Sequence, residues 1–407
     1  MTTRVQAISA TSLVAGDGGP LPARPDRVPD PVADGVVAWD GDTLVYAGPR
    51  SGWEGDVDEA FDGCTIVPGF VDCHTHLPFL GWRDDEFEAR LQGATYRDLH
   101  GEGGIARSAM LLAEGSDDDV IAFCRPLLAE MVAHGTTTLE LKTGYGLSVE
   151  AELRQARLAR RLAGEVPQTA VVTLLACHAV PPGMERRQWV DAACRELIPR
   201  AVAEGLADAV DVYVEDIAFT VEDMEQVAAA ARDAGLPLRA HVDQLGPTGS
   251  AEAAARLGAR SADHLNHASA EGVAALGKGE TVGVLLPAST LLLRADPPPV
   301  ARLLEAGAPL AVATDFNPGT SPVLSMPEAI SLAGVQYGLA PLQALTAATA
   351  NPAWVLGLHE AVGSLAPGRR ADIVVLDGPR FRLVPYRPGH NPVVQVIVDG
   401  RPVPVGG

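Results

Sequence analysis

The stretch FVDCHTH at residues 70–76 decides the fold, because this short apolar strand ends in two histidines and opens a regular series. Seven further apolar runs follow it, and longer segments with helical periodicity separate them. Such an alternation predicts repeated βα units, and eight units predict a closed parallel barrel. The seven runs are TTTLELK (136–142), VVTLLACH (171–178), AVDVYVED (209–216), PLRAHVD (237–243), SADHL (261–265), TVGVLLP (281–287) and PLAVATDFN (309–317).

The helical segments carry their own end signals. In TVEDMEQVAAAARDAG, Thr220 is a suitable N-cap and Asp223 follows three residues later, which predicts a capping box. Gly235 predicts the end of this helix. The segment is therefore a helix between two strands.

Both ends of the chain carry a different pattern. Residues 1–68 hold short alternating runs such as VVAWDGDTLVYAG, interrupted by Gly, Pro and Asp. Similar runs, ADIVVLD and VVQVIVDG, occupy the last part of the chain. This pattern is typical of small strands with tight turns. We therefore predict an α/β fold with a TIM-like (β/α)8 barrel over 69–357 and a small β-sandwich domain formed by 1–68 and 358–407.

Composition and charge restrict the classes of function. The chain has 31 basic and 52 acidic residues, and the net charge of −21 disfavours nucleic acid and anionic membranes as partners. The first residues, MTTRVQAISA, lack a secretory signal, and no apolar run reaches the roughly 18 residues of a membrane span. Five cysteines without a CxxC pair predict reduced thiols. We expect a cytoplasmic protein whose partner is a small molecule.

Polar residues fall at the carboxyl ends of the predicted strands, which converge at one mouth of a barrel. His74 and His76 are two residues apart on an extended segment, so both imidazoles can face one ion. Taken alone, this pair is equally compatible with two ordinary histidines. His241 and Asp315 end the fifth and eighth predicted strands, where a buried titratable group needs a partner. A divalent cation supplies that partner.

The four side chains together predict a catalytic metal site. Three imidazoles and one carboxylate leave one position open for water. Because the set has no thiolate, zinc or iron is favoured, while manganese and nickel stay open on ligand chemistry. A bound metal lowers the pKa of water towards neutrality and polarises a carbonyl, which favours hydrolysis as the reaction class.

Several motifs resemble those of a known family. PGFVDCHTHLPF, ATDFNPGTSP and GSLAPGRRADIVVLD resemble the amidohydrolase superfamily, and the ordered set HTHLPFLGWRDDEF, GATY, LELKTGYGL, CHAVP, AHVDQL, SADHL and TDFNPGTSP resembles the imidazolonepropionases within it. The resemblance covers nearly the whole chain. It implies opening of the lactam ring of 4-imidazolone-5-propanoate to N-formimino-L-glutamate in histidine breakdown, with one zinc or iron ion per subunit. It also implies a homodimer.

The resemblance assigns roles to individual positions. His74, His76, His241 and Asp315 match the family's metal ligands. Arg83 matches the residue that binds the propanoate carboxylate, which a planar guanidinium suits. The alternative for Arg83 is a surface salt bridge to a neighbouring acid, which is Asp84, Asp85 or Glu86.

Further positions match the family's substrate pocket. Tyr96, Tyr145 and His178 correspond to groups that hydrogen-bond the substrate, and the alternative for Tyr145 is a packed loop tyrosine. His264 matches a histidine that orients the attacking water or polarises the lactam carbonyl, with a fifth metal ligand as the second interpretation. The loop after the eighth strand matches a segment around substrate or product, and its alternative is an ordinary turn. Its residues are Asn317, Gly319 and Thr320.

Three positions bear on the exact chemistry. Gln244 stands where some family members have Glu and others Gln, so it can hydrogen-bond the substrate but cannot act as a general base. Base duty then falls to Asp315 or His264. The loop HGEGGIARSAMLLAEGS, including residues 101–108, departs from the family's glycine-rich segment. Lys142 lies on the second predicted strand rather than the fourth, so we expect one metal and a structural lysine.

Two other functions stay open at this stage. One is a related amidohydrolase, such as an aminohydrolase or cyclic amidase, acting on another acid-bearing imidazole-derived ring or on a nucleobase. The other is a catalytically silent barrel that binds a small ligand, because architecture persists when function is lost. Arg83 and Tyr145 favour an acid-bearing substrate, and the complete ligand set favours an enzyme.

Overall fold

A computed structural model of the chain describes residues 4–16, 18, 19, 21–99 and 103–405, without the side chains of Tyr96 and Leu99. Its strands form two separate sheets. The strands are β1 (Gln6–Leu13), β2 (Val32–Asp40), β3 (Thr43–Pro49), β4 (Glu59–Pro68), β5 (Phe70–Asp72), β6 (Thr136–Lys142), β7 (Thr169–Cys177), β8 (Ala209–Val214), β9 (Leu238–Val242), β10 (Ser261–His264), β11 (Val282–Leu285), β12 (Leu310–Val312), β13 (Ile373–Asp377), β14 (Val393–Val398) and β15 (Arg401–Val403).

Helices connect the strands of the larger sheet, as the alternation in the sequence predicts. A single 3-10 turn spans Arg50–Gly52, and a π-helical segment spans Ala193–Leu197. The α-helices are α1 (Asp84–Leu91), α2 (Tyr96–Leu99), α3 (Gly104–Glu114), α4 (Asp117–Ala133), α5 (Val149–Glu165), α6 (Arg186–Ala192), α7 (Ile198–Ala203), α8 (Val221–Asp233), α9 (Ser250–Leu257), α10 (Ala270–Lys278), α11 (Pro287–Leu293), α12 (Val300–Glu305), α13 (Met326–Tyr337), α14 (Pro341–Ala347), α15 (Ala350–Val355) and α16 (Leu383–Tyr386).

The larger sheet is a parallel barrel of eight strands, which confirms the predicted fold class. Its strands run in chain order from β5 to β12, and each ladder between neighbours is parallel. Contacts between its first and last members close it. Thr75 pairs with Phe316, and the Thr314 hydroxyl donates to Asp72 at 2.6 Å. The carboxyl ends of all eight strands therefore surround one mouth.

The smaller sheet joins both ends of the chain, as predicted. It has seven strands in the order β15-β14-β13-β4-β1-β2-β3, and its one parallel pair is β1 with β4. The Trp39 indole N–H donates to the Gly400 carbonyl at 3.0 Å, so opposite parts of this sheet contact each other. The apolar layer of this domain includes Leu13, Ile66 and Ile373. The domain boundaries at 68/69 and 357/358 stay predictions.

Local signals explain several element ends. The Thr220 hydroxyl accepts the Asp223 N–H and the Asp223 carboxylate accepts the Thr220 N–H, so the predicted capping box is present at the start of α8. All five cysteines are free thiols, as predicted, although Cys64 and Cys194 are only partly buried. Within the residues that the structure describes, no helix has the length and apolarity needed to cross a membrane.

Candidate active site

The four predicted metal ligands meet at the mouth of the barrel. His74 and His76 follow β5, His241 lies on β9, and Asp315 follows β12. The Asp315 Oδ1 atom lies 3.5 Å from His74 Nε2 and 3.2 Å from His76 Nε2. The two Nε2 atoms are 3.3 Å apart, and the His241 ring centroid is 4.5 Å from that of His74. All four side chains are buried.

The donor atoms of these residues fit a divalent cation. His74, His76 and Asp315 form one group of ligand atoms that lie within 4.8 Å of one another, and His74, His241 and His264 form a second. The buried Nε2 of His241 has no hydrogen-bond partner among the described residues. Imidazole nitrogens and one carboxylate oxygen suit zinc or iron. Desolvated lone pairs that face one another need a cation between them.

Two buried carboxylates contact the Nδ1 atoms of two of the predicted metal ligands. His74 Nδ1 lies 2.7 Å from Asp263 Oδ2, and His241 Nδ1 lies 3.2 Å from Asp211. Where a carboxylate oxygen accepts the imidazole N–H, Nδ1 donates and the Nε2 lone pair faces the centre. The sequence interpretation missed both carboxylates. The available signal was an acid within a buried strand, as in AVDVYV.

Burial sets the protonation of the site. Burial lowers the pKa of His74 well below its usual value and lowers the pKa of His264 to about 3. Burial alone would raise the pKa of Asp315, but the hydrogen bond with His76 and the nearby His264 outweigh it, and the net direction is downward. Neutral imidazoles and an ionised carboxylate are the forms that bind a metal.

The backbone is strained where two of these residues leave their strands. His264 has φ of +77° and Asp315 has φ of +55°, and both lie in the left-handed region that side chains with a Cβ rarely adopt. Such conformations persist only where surrounding contacts fix them, and they cluster at functional sites. Both side chains line the cavity at the mouth of the barrel.

A cavity opens onto this cluster at the mouth of the barrel. A concave site with a few convergent polar groups is typical of small-molecule binding sites. Most of the predicted substrate-binding residues lie around it, and Tyr213 and Ile105 are lining residues that the sequence interpretation missed. The predicted residues in the lining are Arg83, Tyr145, His178, Gln244, His264, Asn317 and Thr320.

Arg83 is buried in this cavity wall rather than exposed. It forms an ion pair with Glu86, with Nε 3.6 Å from Oε2, and its Nη1 donates to the Ser108 hydroxyl at 3.2 Å. A Cβ atom at Gly319 would collide with the guanidinium, so only glycine permits this approach. Arg83 therefore does pair with a neighbouring acid, Glu86, but the pair lies in the cavity wall and not at the surface.

Aromatic rings form another part of the cavity wall. The His178 ring stacks on His76 with centroids 5.3 Å apart, and the Tyr145 ring lies 5.4 Å from His178. His178 Nδ1 lies 3.0 Å from the Gly144 carbonyl oxygen and donates to it, so its Nε2 can accept a hydrogen bond. The backbone of Tyr96 starts α2, and its side chain lies outside the described part of the chain.

The loop after β12 is organised by Asn317. Its Oδ1 accepts the N–H groups of Gly319 and Thr320, at 2.9 and 2.7 Å, and its Nδ2 donates to the Asp315 carbonyl and the Thr320 hydroxyl. The amide of Asn317 is therefore fully used within the loop. That the three residues hold substrate or product stays a prediction.

Comparison with known proteins identifies the family. The model of the amidohydrolase family matches residues 65–403. An imidazolonepropionase from Rhizorhabdus wittichii is 42% identical over 89% of this chain and 92% of its own length. The chain belongs to the imidazolonepropionase family of amidohydrolases. A second imidazolonepropionase, from Rubrobacter xylanophilus, is 42% identical and covers 95% of each chain.

Solved structures with the same fold act on other rings. An adenosine deaminase from Xanthomonas campestris with bound zinc has a TM-score of 0.71 and 18% identity, over 98% of this chain and 92% of that one. A triazine hydrolase from Arthobacter aurescens has a TM-score of 0.76 and 17% identity, over 98% and 94%. At these identities the likeness concerns the fold alone.

In this imidazolonepropionase family member, a buried acid holds the segment that carries Gln244. Glu215 follows β8, and its Oε1 accepts the N–H groups of Gln244 and Leu245 at 2.5 and 2.9 Å. Its Oε2 has no hydrogen-bond partner among the residues described. Burial raises the pKa of Glu215 to about 7. The folded protein therefore retains this proton at pH values where the unfolded chain has lost it.

This difference predicts how stability depends on pH. Because the folded-state pKa lies above the unfolded value of about 4.3, ionisation of Glu215 lowers stability as the pH rises from about 4.5 to 7 and costs nothing further above that range. Glu215→Gln removes this loss of stability. The melting-temperature difference between Glu215→Gln and the unsubstituted protein should therefore be more positive at pH 8 than at pH 5. Differential scanning calorimetry at both values measures the change.

The matched control is Asp233→Asn, which alters an exposed carboxylate at the end of α8. Its melting-temperature difference should be the same at both pH values. An equal difference at pH 5 and pH 8 for Glu215→Gln would show that the Glu215 carboxyl is not protonated in the folded state.

Proposed function

We propose that this chain hydrolyses the cyclic amide bond of 4-imidazolone-5-propanoate to N-formimino-L-glutamate, a step of histidine degradation. The observation that carries the proposal is the buried Arg83 guanidinium in the same cavity as His76, His241 and Asp315. A guanidinium suits a substrate carboxylate, and a metal-binding group suits amide hydrolysis. Its relatives of 42% identity carry the name of this activity.

The metal ligands in this proposal are His74, His76, His241 and Asp315, which would hold one zinc or iron ion per subunit. Their nitrogen and oxygen donors, and the bound zinc of the deaminase with the same fold, support this choice. When bound, such an ion polarises a carbonyl group and lowers the pKa of water.

Side chains of the cavity wall would bind and orient the substrate. Arg83 binds the propanoate carboxylate through its N–H groups. The Tyr145 phenol and the Nε2 atom of His178, which also line the cavity, hydrogen-bond the ring. Gln244 offers one amide donor and one acceptor to the substrate. The loop of Gly319 and its neighbours then faces the glutamate end of the product.

The proton acceptor in this proposal is Asp315 or His264. Gln244 cannot take a proton from water, whereas the Asp315 carboxylate and the His264 imidazole are both unprotonated at neutral pH. The residue that does not accept the proton orients the water or the lactam carbonyl. His264 also shares a ligand group with His74 and His241, so a fifth ligand position stays the second interpretation.

The pH–rate profiles of Asp315→Asn and His264→Ala distinguish the two residues. We expect the variant that lacks the base to lose about 10²- to 10⁴-fold in kcat and to lose the acidic limb of its profile. Metal content is measured in parallel, so that a lost ion is not mistaken for a lost base. Unchanged turnover in both variants would contradict the assignment.

Removal and return of the metal tests the activity itself. Dialysis of the purified protein against a chelator should lower consumption of 4-imidazolone-5-propanoate by at least about 100-fold, because the site then loses its electrophile. Zn²⁺ or Fe²⁺ should restore it, and mass spectrometry should identify N-formimino-L-glutamate. The control is dialysis against the same chelator saturated with zinc.

The same experiment separates the alternatives. Bound metal with turnover of a nucleobase but not of the lactam would support a neighbouring aminohydrolase. Failure to bind any metal would support a silent ligand-binding barrel. The proposal of a homodimer, of cytoplasmic location and of no membrane or nucleic-acid partner is tested separately by light scattering and cell fractionation.

Arg83→Met tests the substrate class. Loss of a charge-assisted contact of about 1.5–3 kcal/mol should raise KM by about 10- to 100-fold, while kcat changes less. A ring analogue without the carboxylate should be processed equally by both proteins. Arg107→Met is the matched control, because Arg107 pairs with Asp85 outside the cavity lining. An unaltered KM in Arg83→Met would exclude Arg83 as the carboxylate site.

A further inference from the structure

A buried lysine lies directly behind the metal-binding histidines. The Nζ atom of Lys142 lies 2.6 Å from Asp211 Oδ2, 2.9 Å from Glu140 Oε2 and 4.0 Å from Asp263 Oδ2. All four side chains are fully buried. Removal of an ammonium group from water costs free energy, so a fully buried lysine needs carboxylates around it.

The same carboxylates reach the metal ligands. Asp211 accepts from His241 Nδ1, and Asp263 accepts from His74 Nδ1. Lys142 is therefore hydrogen-bonded to the carboxylate that contacts His241, and its Nζ lies 4.0 Å from the carboxylate that contacts His74. Carboxylates of this kind fix which imidazole nitrogen carries the proton and how the ring is turned.

The position of the ammonium also accounts for a third group of ligand-type atoms. Asp211, His241 and Asp263 offer atoms within 4.8 Å of one another. The Lys142 Nζ already lies among these carboxylates, so a cation is present there as part of the chain. Arg239 pairs with Glu140 on the far side. The cluster thus holds three carboxylates against two cations.

We propose that Lys142 is a positioning residue of the metal centre, which holds Asp211 and Asp263 where they accept the Nδ1–H groups of His241 and His74. The two Nε2 lone pairs then point at the ion before it binds. This inference rests on the metal site of the proposed function. It does not require that Lys142 touch the metal or the substrate.

The test is the affinity of the metal-free protein for Zn²⁺, measured by competition with a chromophoric chelator. Lys142→Met, which keeps volume but removes the charge, should weaken Zn²⁺ binding by about 10- to 100-fold, the usual effect of losing such an outer contact. The absorption bands of the Co²⁺-loaded variant should shift, because the ligand rings are no longer fixed. Lys142→Gln keeps an amide NH₂ donor group without the charge and should recover part of the affinity.

A double-variant cycle separates positioning from general destabilisation. If Lys142 acts through Asp211, the effects of Lys142→Met and Asp211→Asn on Zn²⁺ affinity are not additive. Leu141→Ala is the matched control, because Leu141 is fully buried on the same strand but packs away from the cluster. It should lower the melting temperature and leave the Zn²⁺ dissociation constant within about threefold.

Two results would overturn the inference. One is a wild-type Zn²⁺ dissociation constant and Co²⁺ spectrum in Lys142→Met. If Lys142→Met and Lys142→Gln both fail to fold, the deciding variants are Asp211→Asn and Asp263→Asn. Unchanged Zn²⁺ affinity in both of these would then overturn the inference. Failure of the unsubstituted protein to bind Zn²⁺ would instead contradict the proposed function, so the two failures are distinguishable.

Discussion

The desolvation of polar groups at the carboxyl ends of the barrel strands governs how this molecule is built. An imidazole or carboxylate removed from water must find a partner, and at this mouth each partner is itself buried and needs the next. His74 illustrates this series of contacts. Its Nε2 faces Asp315, its Nδ1 faces Asp263, and Asp263 lies near Lys142. The site is therefore a continuous network that extends into the barrel interior.

The fold could be predicted from sequence because its signals are local and periodic. Each of the eight apolar runs overlaps one barrel strand, from Phe70–Asp72 to Leu310–Val312. The smaller sheet formed by both ends of the chain could be predicted equally well, because short runs with Gly and Pro turns cannot continue a βα series. The prediction that four side chains form one group followed from the fold, because the carboxyl ends of barrel strands converge whatever the sequence between them. The observed distances among His74, His76 and Asp315 agree with that reasoning.

The parts that escaped prediction depend on contacts between distant positions. Asp211 and Asp263 occupy buried strands, and no periodicity reveals that each orients a histidine on another strand. The positive φ of His264 is equally invisible, because tertiary packing imposes it against the residue's own preference. Glu215 is a further case: its role depends on backbone N–H groups of a loop 29 and 30 residues away.

The proposed metal ligands and the proposed substrate-binding arginine belong to different parts of the structure. The proposed metal ligands belong to the strand ends, and the fold is shared with an adenosine deaminase and a triazine hydrolase at 17–18% identity. The architecture therefore does not determine the substrate. Arg83 belongs instead to the segment after β5, where Glu86 holds it and the backbone of Gly319 gives it room. Because Gly319 follows Asp315 by four residues, the loop that gives the Arg83 guanidinium room is continuous with a proposed metal ligand. In the proposed function, loop and strand end together set the distance between the substrate carboxylate and the reacting carbonyl, and a change in either would alter it.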